Sequence, residues 1–455
     1  MKEEEEQHEE LYSILEYREF PLEYTNNQAT ALRMVEDFME SDDRYFLLAG
    51  FAGSGKTSIA ENIVKYTNGT LLAPTNAAVM RLVEKIPSIK NISTIHRTIY
   101  GFPDPKTGKW NPKTMSKDTT YIIDEASMID LVVLNDLLKL SVLFNNKIIF
   151  MGDSFQLPPV GVDPKLFSWD LNKSFKDIFL EHNKIEMTEV KRQDGQILNV
   201  ATHIRKNKEP IIYDYENEFK LVKKFGIELM NDIVQEKDFA VITYSNKDRM
   251  TYNNQVRFYK FRDYNAFENV VNKGERVISV SNTEKNNGER YVIENPKVID
   301  TFVKAINIGT MDVPVMKTYE FHFISDKDTG VSSLLIPDLD IASLHGHQLL
   351  KHFLDYPMFV EEMFTGGKSK DGTKKTIDVW NKAVNICTYG YAMTAHKAQG
   401  NEFDHVYINA DYLQEKADKS HARWIYTAIT RGKKKVRLKY NKVIKIIDVP
   451  LLEVI

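Results

Sequence analysis

Residues 50–57 read GFAGSGKT and follow directly on the apolar run YFLLA. Glycines at 50, 53 and 55 let backbone amides, with that of Ser54 among them, close on the β- and γ-phosphates of a nucleotide, where side chains would obstruct. Lys56 adds a cation between those phosphates, and the Thr57 hydroxyl is placed to ligate Mg²⁺. A helix beginning there directs its positive end at the same anion. Further on, YIIDEASM sets Asp124 and Glu125 at the end of an apolar strand. Asp124 suits Mg²⁺ held through water, and Glu125 suits a base for the attacking water, a pairing that favours hydrolysis over transfer to a small acceptor. Gln28 lies upstream on an expected first helix, and its amide offers a donor and an acceptor for an adenine edge. Two arginines, Arg192 in TEVKRQ and Arg431 in YTAITRG, have the character of cations that reach a transferring phosphoryl group.

The elements that must position these residues follow from hydropathy. Strands are expected at YFLLAG, TLLAP, YIIDEA and KIIFMGD, with helix TSIAENIVKYT after the first. Short apolar strands alternating with amphipathic helices specify an α/β fold, a parallel sheet covered on both faces. A second such region uses FAVITYSN, NICTYGYAM and HVYINA, then a helix SHARWIYTAITRG closed by Gly432. Between them, residues 277–384 break the alternation with β-rich pieces and a polar loop, TGGKSKDGTKK, which reads as a smaller inserted domain. The run RGKKKVRLKYNKVIK reads as an exposed strand face, and lysines 368, 370, 374 and 375 as a solvated loop.

Composition narrows the class. The chain has 455 residues, 42% hydrophobic and 27% charged, in the ordinary globular range. No apolar stretch approaches the ~20 residues that span a bilayer. The opening MKEEEEQHEE lacks the basic and apolar parts of a secretory signal, so an intracellular, cytoplasmic setting is expected. Cys387 is the single cysteine, which excludes an intrachain disulfide and a cysteine-held zinc cluster. Net charge is −4, so a polyanionic partner must be gripped by a local groove.

The ordered set GFAGSGKT, APTNAA, STIH, IIDEAS, GDSFQLPPVG, TEVKRQ, MTAHKAQGNEFD and YTAITRG resembles the superfamily 1B helicases, over nearly the whole chain. The resemblance implies two tandem RecA-like P-loop domains: 20–187, and 188–276 with 385–455, behind an acidic tail at 1–19. A pin insertion is expected at 98–118 and an SH3-like domain at 277–384. It implies ATP and Mg²⁺ as cofactors. Gln28 would meet adenine; Gly53, Ser54, Gly55, Lys56 and Thr57 the phosphates and metal; Gln156 would sense the γ-phosphate. Arg192 and Arg431 would come from the second domain, and Gln399, Gly400 and Glu402 would line the nucleotide beside them.

It further implies a single strand of DNA lying across both sheets. The expected contacts are Pro74, Thr75, Asn76, Thr94 and His96 in the first domain, and Thr394, His396, Lys397 and the stacking Trp380 in the second. Either Phe102 or Trp110 would serve as the pin at a forked duplex. The implied activity is 5′→3′ DNA unwinding in replication or recombination by a monomer, in a host's cytoplasm if phage-encoded, with a single-strand binding or replication protein as a further partner. The motifs leave open an RNA helicase, or a DNA-stimulated ATPase that remodels protein–DNA complexes.

Overall fold

The computed structural model describes residues 24–101, 115–158, 182–189, 195–209, 217–261, 272–278, 388–411 and 420–440 with their side chains, together with a few isolated positions. It gives the backbone of the further strands named below. The acidic tail, Phe102, Trp110, Arg192, Trp380 and the four loop lysines lie outside the described residues. The chain gathers into two units, Met1–Glu209 with Asp418–Thr427, and Pro210–Ala417 with Ala428–Ile455.

In the first unit, α1 (Asn26–Glu40) starts at a capping box, in which Thr25 accepts from the Gln28 amide and the Gln28 side chain accepts from Thr25. Strands β1 (Tyr45–Gly50), β2 (Thr70–Ala73), β3 (Ile92–Thr94), β4 (Thr120–Ile123), β5 (Lys147–Gly152) and β6 (Lys184–Met187) form one sheet in the order β3-β2-β4-β5-β1-β6. All pairs are parallel. Alternation splits the apolar side chains between the faces. Phe46, Leu48, Ile122, Ile149 and Met151 pack with α1 and with α2 (Lys56–Thr67). Tyr121, Ile123, Ile148 and Phe150 pack on the other face with α4 (Ile95–Ile99) and α5 (Leu131–Leu143). Helices α3 (Asn76–Lys85) and α6 (Gln196–Asn207) complete the unit.

The second unit repeats the plan. Strands β7 (Ile211–Tyr213) and β8 (Phe219–Val222) are followed by α7 (Gly226–Val234), β9 (Phe239–Thr243) and α8 (Asn246–Lys260). A closed barrel then forms from β10 (Arg276–Ser279), β11 (Arg290–Ile299), β14 (Thr318–Ser325), β15 (Asp328–Pro337) and β16 (Val384–Tyr389), with hairpin β12 (Ile306–Ile308) and β13 (Met311–Val313) beside it in sequence. The main sheet resumes with β17 (Ala392–Thr394), short α9 (Ala395–Ala398), β18 (Phe403–Asn409), α10 (Lys419–Ile429) and β19 (Gly432–Lys439). Its order is β17-β9-β18-β19-β8, all parallel, and β20 (Lys445–Ile447) pairs with β7. Buried Asn253 ties α8 to β17: its Oδ1 accepts from the amides of Tyr391 (3.1 Å) and Ala392 (2.8 Å).

Two expectations change. Gly432 does not close α10; it opens β19, where a Cβ would meet Val436 Cγ2 at 2.4 Å. Its selection there is for close approach rather than for a left-handed cap. Helix α6 and residues 418–427, taken from the sequence as parts of the second sheet domain, group with the first unit. Arg205 and Tyr426 explain this, because both are bound to Asp153 at the end of β5.

Candidate functional site

Parallel strands deliver their loops to one edge, the carboxyl edge, and Lys56, Pro74–Asn76, Thr94–His96, Asp124, Glu125 and Gln156 all follow strand ends there. The loop after β1 turns through Gly53 (φ 78°) and Gly55 (φ 84°), left-handed conformations that favour glycine. A Cβ on Gly55 would stand 2.2 Å from Gln28 Nε2. Gln28 is therefore placed against the loop: its Nε2 donates to the Ser54 carbonyl at 3.0 Å, and its Oε1 accepts from Thr25 at 3.1 Å. The residue expected to meet adenine thus braces the phosphate loop.

Lys56 begins α2, and its Nζ donates to the carbonyls of Gly50 (2.8 Å) and Phe51 (2.9 Å). Burial pushes its pKa down, while the charges of Asp153, Glu125 and Asp124 pull it up. To reach a phosphate the ammonium must exchange those two carbonyls for anionic oxygens, a favourable exchange for a buried cation. Asp124 and Glu125 follow β4, both almost fully buried. Burial first, and the adjacent Glu125 second, push the Asp124 pKa up. Glu125 has φ 51°, a left-handed backbone rare for a residue with a side chain and costing on the order of 1–3 kcal/mol.

The residues present fit a magnesium nucleotide. Ser54 Oγ and Gln156 Oε1 are buried polar atoms with no hydrogen-bond partner among the described residues. No group of three or more His, Cys, Asp or Glu among the described residues could hold a metal by itself. Mg²⁺ asks for less, one or two protein oxygens plus the substrate's phosphates. Thr57 and Asp124 are of that type.

Gln156 sits in the turn after β5, and Asp153 builds that turn. Its carbonyl accepts from Gln156 N at 3.1 Å and its carboxylate from Phe155 N at 3.0 Å. The same carboxylate, fully buried, accepts from Arg205 of α6 and from the Tyr426 hydroxyl. Tyr426 Oη in turn accepts from Ala52 N in the phosphate loop at 3.0 Å. The Arg205 guanidinium lies 4.3 Å from the Phe51 ring centroid and also reaches Glu186. Asp153, Arg205 and Tyr426 were not singled out in the sequence; the only signal was that two of them fall inside motifs chosen for other residues. Arg81 of α3 was missed as well: its Nη2 lies 2.8 Å from Glu125 Oε1 and 3.5 Å from Asp124 Oδ2.

The strand-binding candidates share the carboxyl edge. Pro74–Asn76 leave β2 and Thr94–His96 leave β3, strands paired with Ala73 opposite Thr94. Thr75 and Thr94 cap α3 and α4, accepting from Ala78 N and Arg97 N, both at 3.2 Å. Each hydroxyl keeps its own proton to donate to a phosphate. His96 packs on the Tyr100 ring, centroids 5.4 Å apart.

In the second unit Thr394 leaves β17, paired opposite Thr243 of β9, and half-buried His396 and exposed Lys397 follow in α9. Burial pushes the His396 pKa below its ordinary value. Beyond Thr243 come Tyr244, which is 43% exposed, and Ser245, which caps α8 as Thr75 caps α3. Tyr244–Asn246 are the second unit's counterpart of Pro74–Asn76, and the likeness of TYSN to APTN was the unread signal. Arg431 is buried, and its Nη1 donates to the Asn401 carbonyl at 3.4 Å, beside buried Gln399 and Gly400 (φ 78°). Arg431, Gln399 and Gly400 are therefore brought together, while Glu402 follows on the same turn. Arg192 lies outside the described residues, but Thr188 and Glu189 just before it are bonded to Asn27, next to Gln28.

Comparison with known proteins agrees with the order of the motifs. Residues 23–224 match the model of an AAA domain, and residues 389–438 that of the UvrD-like helicase C-terminal domain. The ATP-dependent DNA helicase dda of Enterobacteria phage T4 is 24% identical over 458 residues, covering 90% of this chain and 97% of that protein. An uncharacterized protein of Acanthamoeba polyphaga mimivirus is 24% identical over 90% of this chain and 98% of its own. Among solved structures, Pif1 helicase from Bacteroides in complex with ADP-AlF3 and ssDNA aligns over 94% of this chain and 95% of that one, at 16% identity and a TM-score of 0.49. With both family models in motif order and relatives matched over nine-tenths of the chain, the comparisons support an ATP-hydrolysing DNA helicase of the superfamily 1B type.

Proposed function

We propose that the protein is a motor that moves 5′→3′ along single-stranded DNA, driven by ATP hydrolysis, and parts a duplex at a fork. The observation that carries this reading is the shared carboxyl edge of the first sheet. There Asp124 and Glu125 follow β4, which pairs with β2, the strand bearing Pro74–Asn76, and β2 pairs with β3, which bears Thr94–His96; Gln156 and the phosphate loop follow β5 and β1 further along the same edge. A nucleotide state and a DNA contact are thus attached to neighbouring strands of one rigid sheet.

In the chemical step water attacks the γ-phosphorus, the bond to the bridging oxygen breaks, and ADP departs. Glu125 accepts the proton of the water. Lys56 and the loop amides at 53–57 hold charge on the phosphate oxygens, where fixed donors lower the barrier without reorganising. Thr57 and Asp124 would hold Mg²⁺, which would supply charge neutralisation of the phosphates. Gln156 is assigned to the γ-phosphate, and its turn reports the phosphate's presence through Asp153. Arg431 of the second unit and Arg192 are assigned as the cations for the transferring group. The partner is a single strand of DNA, met by hydroxyls and amides on its phosphates and by aromatic surfaces on its bases.

The reading is tested on two forked DNAs, one with a 5′ tail and one with a 3′ tail, following ATP hydrolysis and strand release together. Release from the 5′-tailed fork alone is expected. Release from the 3′-tailed fork would reverse the polarity. DNA-stimulated hydrolysis without release from either would make the protein a translocase that remodels, and stimulation by RNA alone would replace DNA as its track.

A further inference from the structure

We propose that Arg81 restrains Glu125 until a strand engages helix α3, so that it couples DNA binding to hydrolysis. This rests on the reading of Glu125 as base and of Thr75–Asn76 as strand contacts. Arg81 donates from Nη2 to Glu125 Oε1 at 2.8 Å, the length of a charge-assisted bond. One oxygen of the base is thereby occupied, and its side chain is aimed at α3. Both groups are largely withdrawn from solvent, with side-chain exposures of 13% and 9%, so solvent competes weakly for the bond.

Arg81 also reaches Asp124 Oδ2 at 3.5 Å, so it shares in neutralising the acidic pair. What distinguishes Arg81 is the element that carries it. Helix α3 begins at Thr75, whose hydroxyl caps it, and Pro74, Thr75 and Asn76 form its leading end. Six residues separate Thr75 from Arg81, about 9 Å along the axis at 1.5 Å per residue. A helix this short moves as one body, so a displacement at its leading end is delivered to the guanidinium. Glu125 stands in a left-handed backbone, which its surroundings must hold in place, and release of Arg81 frees its side chain to turn toward the water. Arg81 is thus a positioning residue: it acts on hydrolysis through Glu125.

Linkage gives a second consequence. If strand binding must break the Arg81–Glu125 bond, then removing the bond beforehand tightens strand binding by the same factor by which the bond opposed it. A purely structural arginine predicts no tightening.

The experiment uses the full chain with Arg81→Gln, Arg81→Lys and Glu125→Gln. ATP turnover is measured without DNA and with saturating oligo-dT, and oligo-dT affinity is measured without nucleotide. For Arg81→Gln, DNA-free turnover is expected to rise about tenfold, the scale of one charge-assisted hydrogen bond, and DNA-saturated turnover to stay within about twofold. Oligo-dT binding is expected to tighten, and Arg81→Lys to restore part of the parent's ratio. A parallel fall of both turnovers in a folded Arg81→Gln protein, or no change in either, overturns the proposal, as does unchanged oligo-dT affinity. Failure of the underlying reading shows elsewhere: Glu125→Gln would then keep its turnover.

Discussion

Replacing Arg205 by Met should be among the most damaging single changes in the first unit, although Arg205 is assigned no contact with nucleotide. Arg205 is 5% exposed and Asp153 fully buried, so solvent can do little to screen the pair or to replace either member. With the guanidinium gone, the hydrogen bonds left to the carboxylate among the described residues come from the Tyr426 hydroxyl and Phe155 N, two neutral donors. Breaking a buried pair by removing one partner costs about 3–5 kcal/mol, because a charge is left uncompensated. For a unit of this size each kcal/mol moves Tm by roughly 2–4 °C, so a loss of about 6–20 °C is expected. Urea unfolding followed by circular dichroism gives the free energy directly. The double variant Asp153→Asn, Arg205→Met removes the stranded charge and should recover more than half of the loss. A loss below about 1 kcal/mol for Arg205→Met, or no recovery in the double variant, would refute the claim that an uncompensated carboxylate is the cause. Because the same guanidinium underlies the Phe51 ring, the variant should also bind a fluorescent ATP analogue more weakly at temperatures where it remains folded.

Other expectations are narrower. Lys56→Ala should lose ATP hydrolysis while retaining oligo-dT affinity; normal turnover would remove the phosphate loop from its assigned role. Gly55→Ala must hold a Cβ at φ 84° and displace Gln28 Nε2, so nucleotide affinity should fall about five- to thirtyfold, the equivalent of the left-handed penalty of ~1–2 kcal/mol. An unchanged nucleotide Kd would show that the loop rebuilds at no cost. His396, with its pKa lowered by burial, is neutral at pH 7 and gains charge only below its ordinary 6.5. Strand affinity should therefore rise as pH falls below 6.5 and stay flat between 7 and 8, and His396→Gln should abolish the rise. The sign for stability is opposite: a histidine buried neutral disfavours the fold as pH drops through 6.5, where the unfolded chain takes up the proton.

How much of this the sequence disclosed depends on whether the cause was local. The phosphate loop was legible because its glycines are required by their own backbone angles, and the strands because their apolar runs meet a sheet buried on both faces. Asp153, Arg205 and Tyr426 were not, because their partners stand 52 and 273 residues away and each residue alone resembles a surface polar group. Arg81 sits in an amphipathic helix where one arginine reads as a solvated face, and only the fold turns it toward β4. Gly432 misled for the opposite reason: a glycine after a helix is a good stop signal, and the space beside Val436 that actually demands it is set by β19 itself.

The two sheets explain why the second unit's contacts were harder to read than the first's. Apart from the extra edge strand β6 of the first sheet, the orders β3-β2-β4-β5-β1 and β17-β9-β18-β19-β8 correspond in topology, with β2 matched to β9 and β3 to β17. In the first sheet the strand feeding Thr94 follows β2 closely in the chain. In the second, Thr394 of β17 lies beside Thr243 of β9 only after the chain has passed through the whole barrel. Sequence distance hid the pairing, and with it the role of Tyr244–Asn246. Parallel strands impose equivalence at their carboxyl ends regardless of the length of the connection. On that ground a strand contact at Thr75–Asn76 implies one at Ser245–Asn246, and loss of the Asn246 amide should weaken oligo-dT binding by about as much as loss of the Asn76 amide.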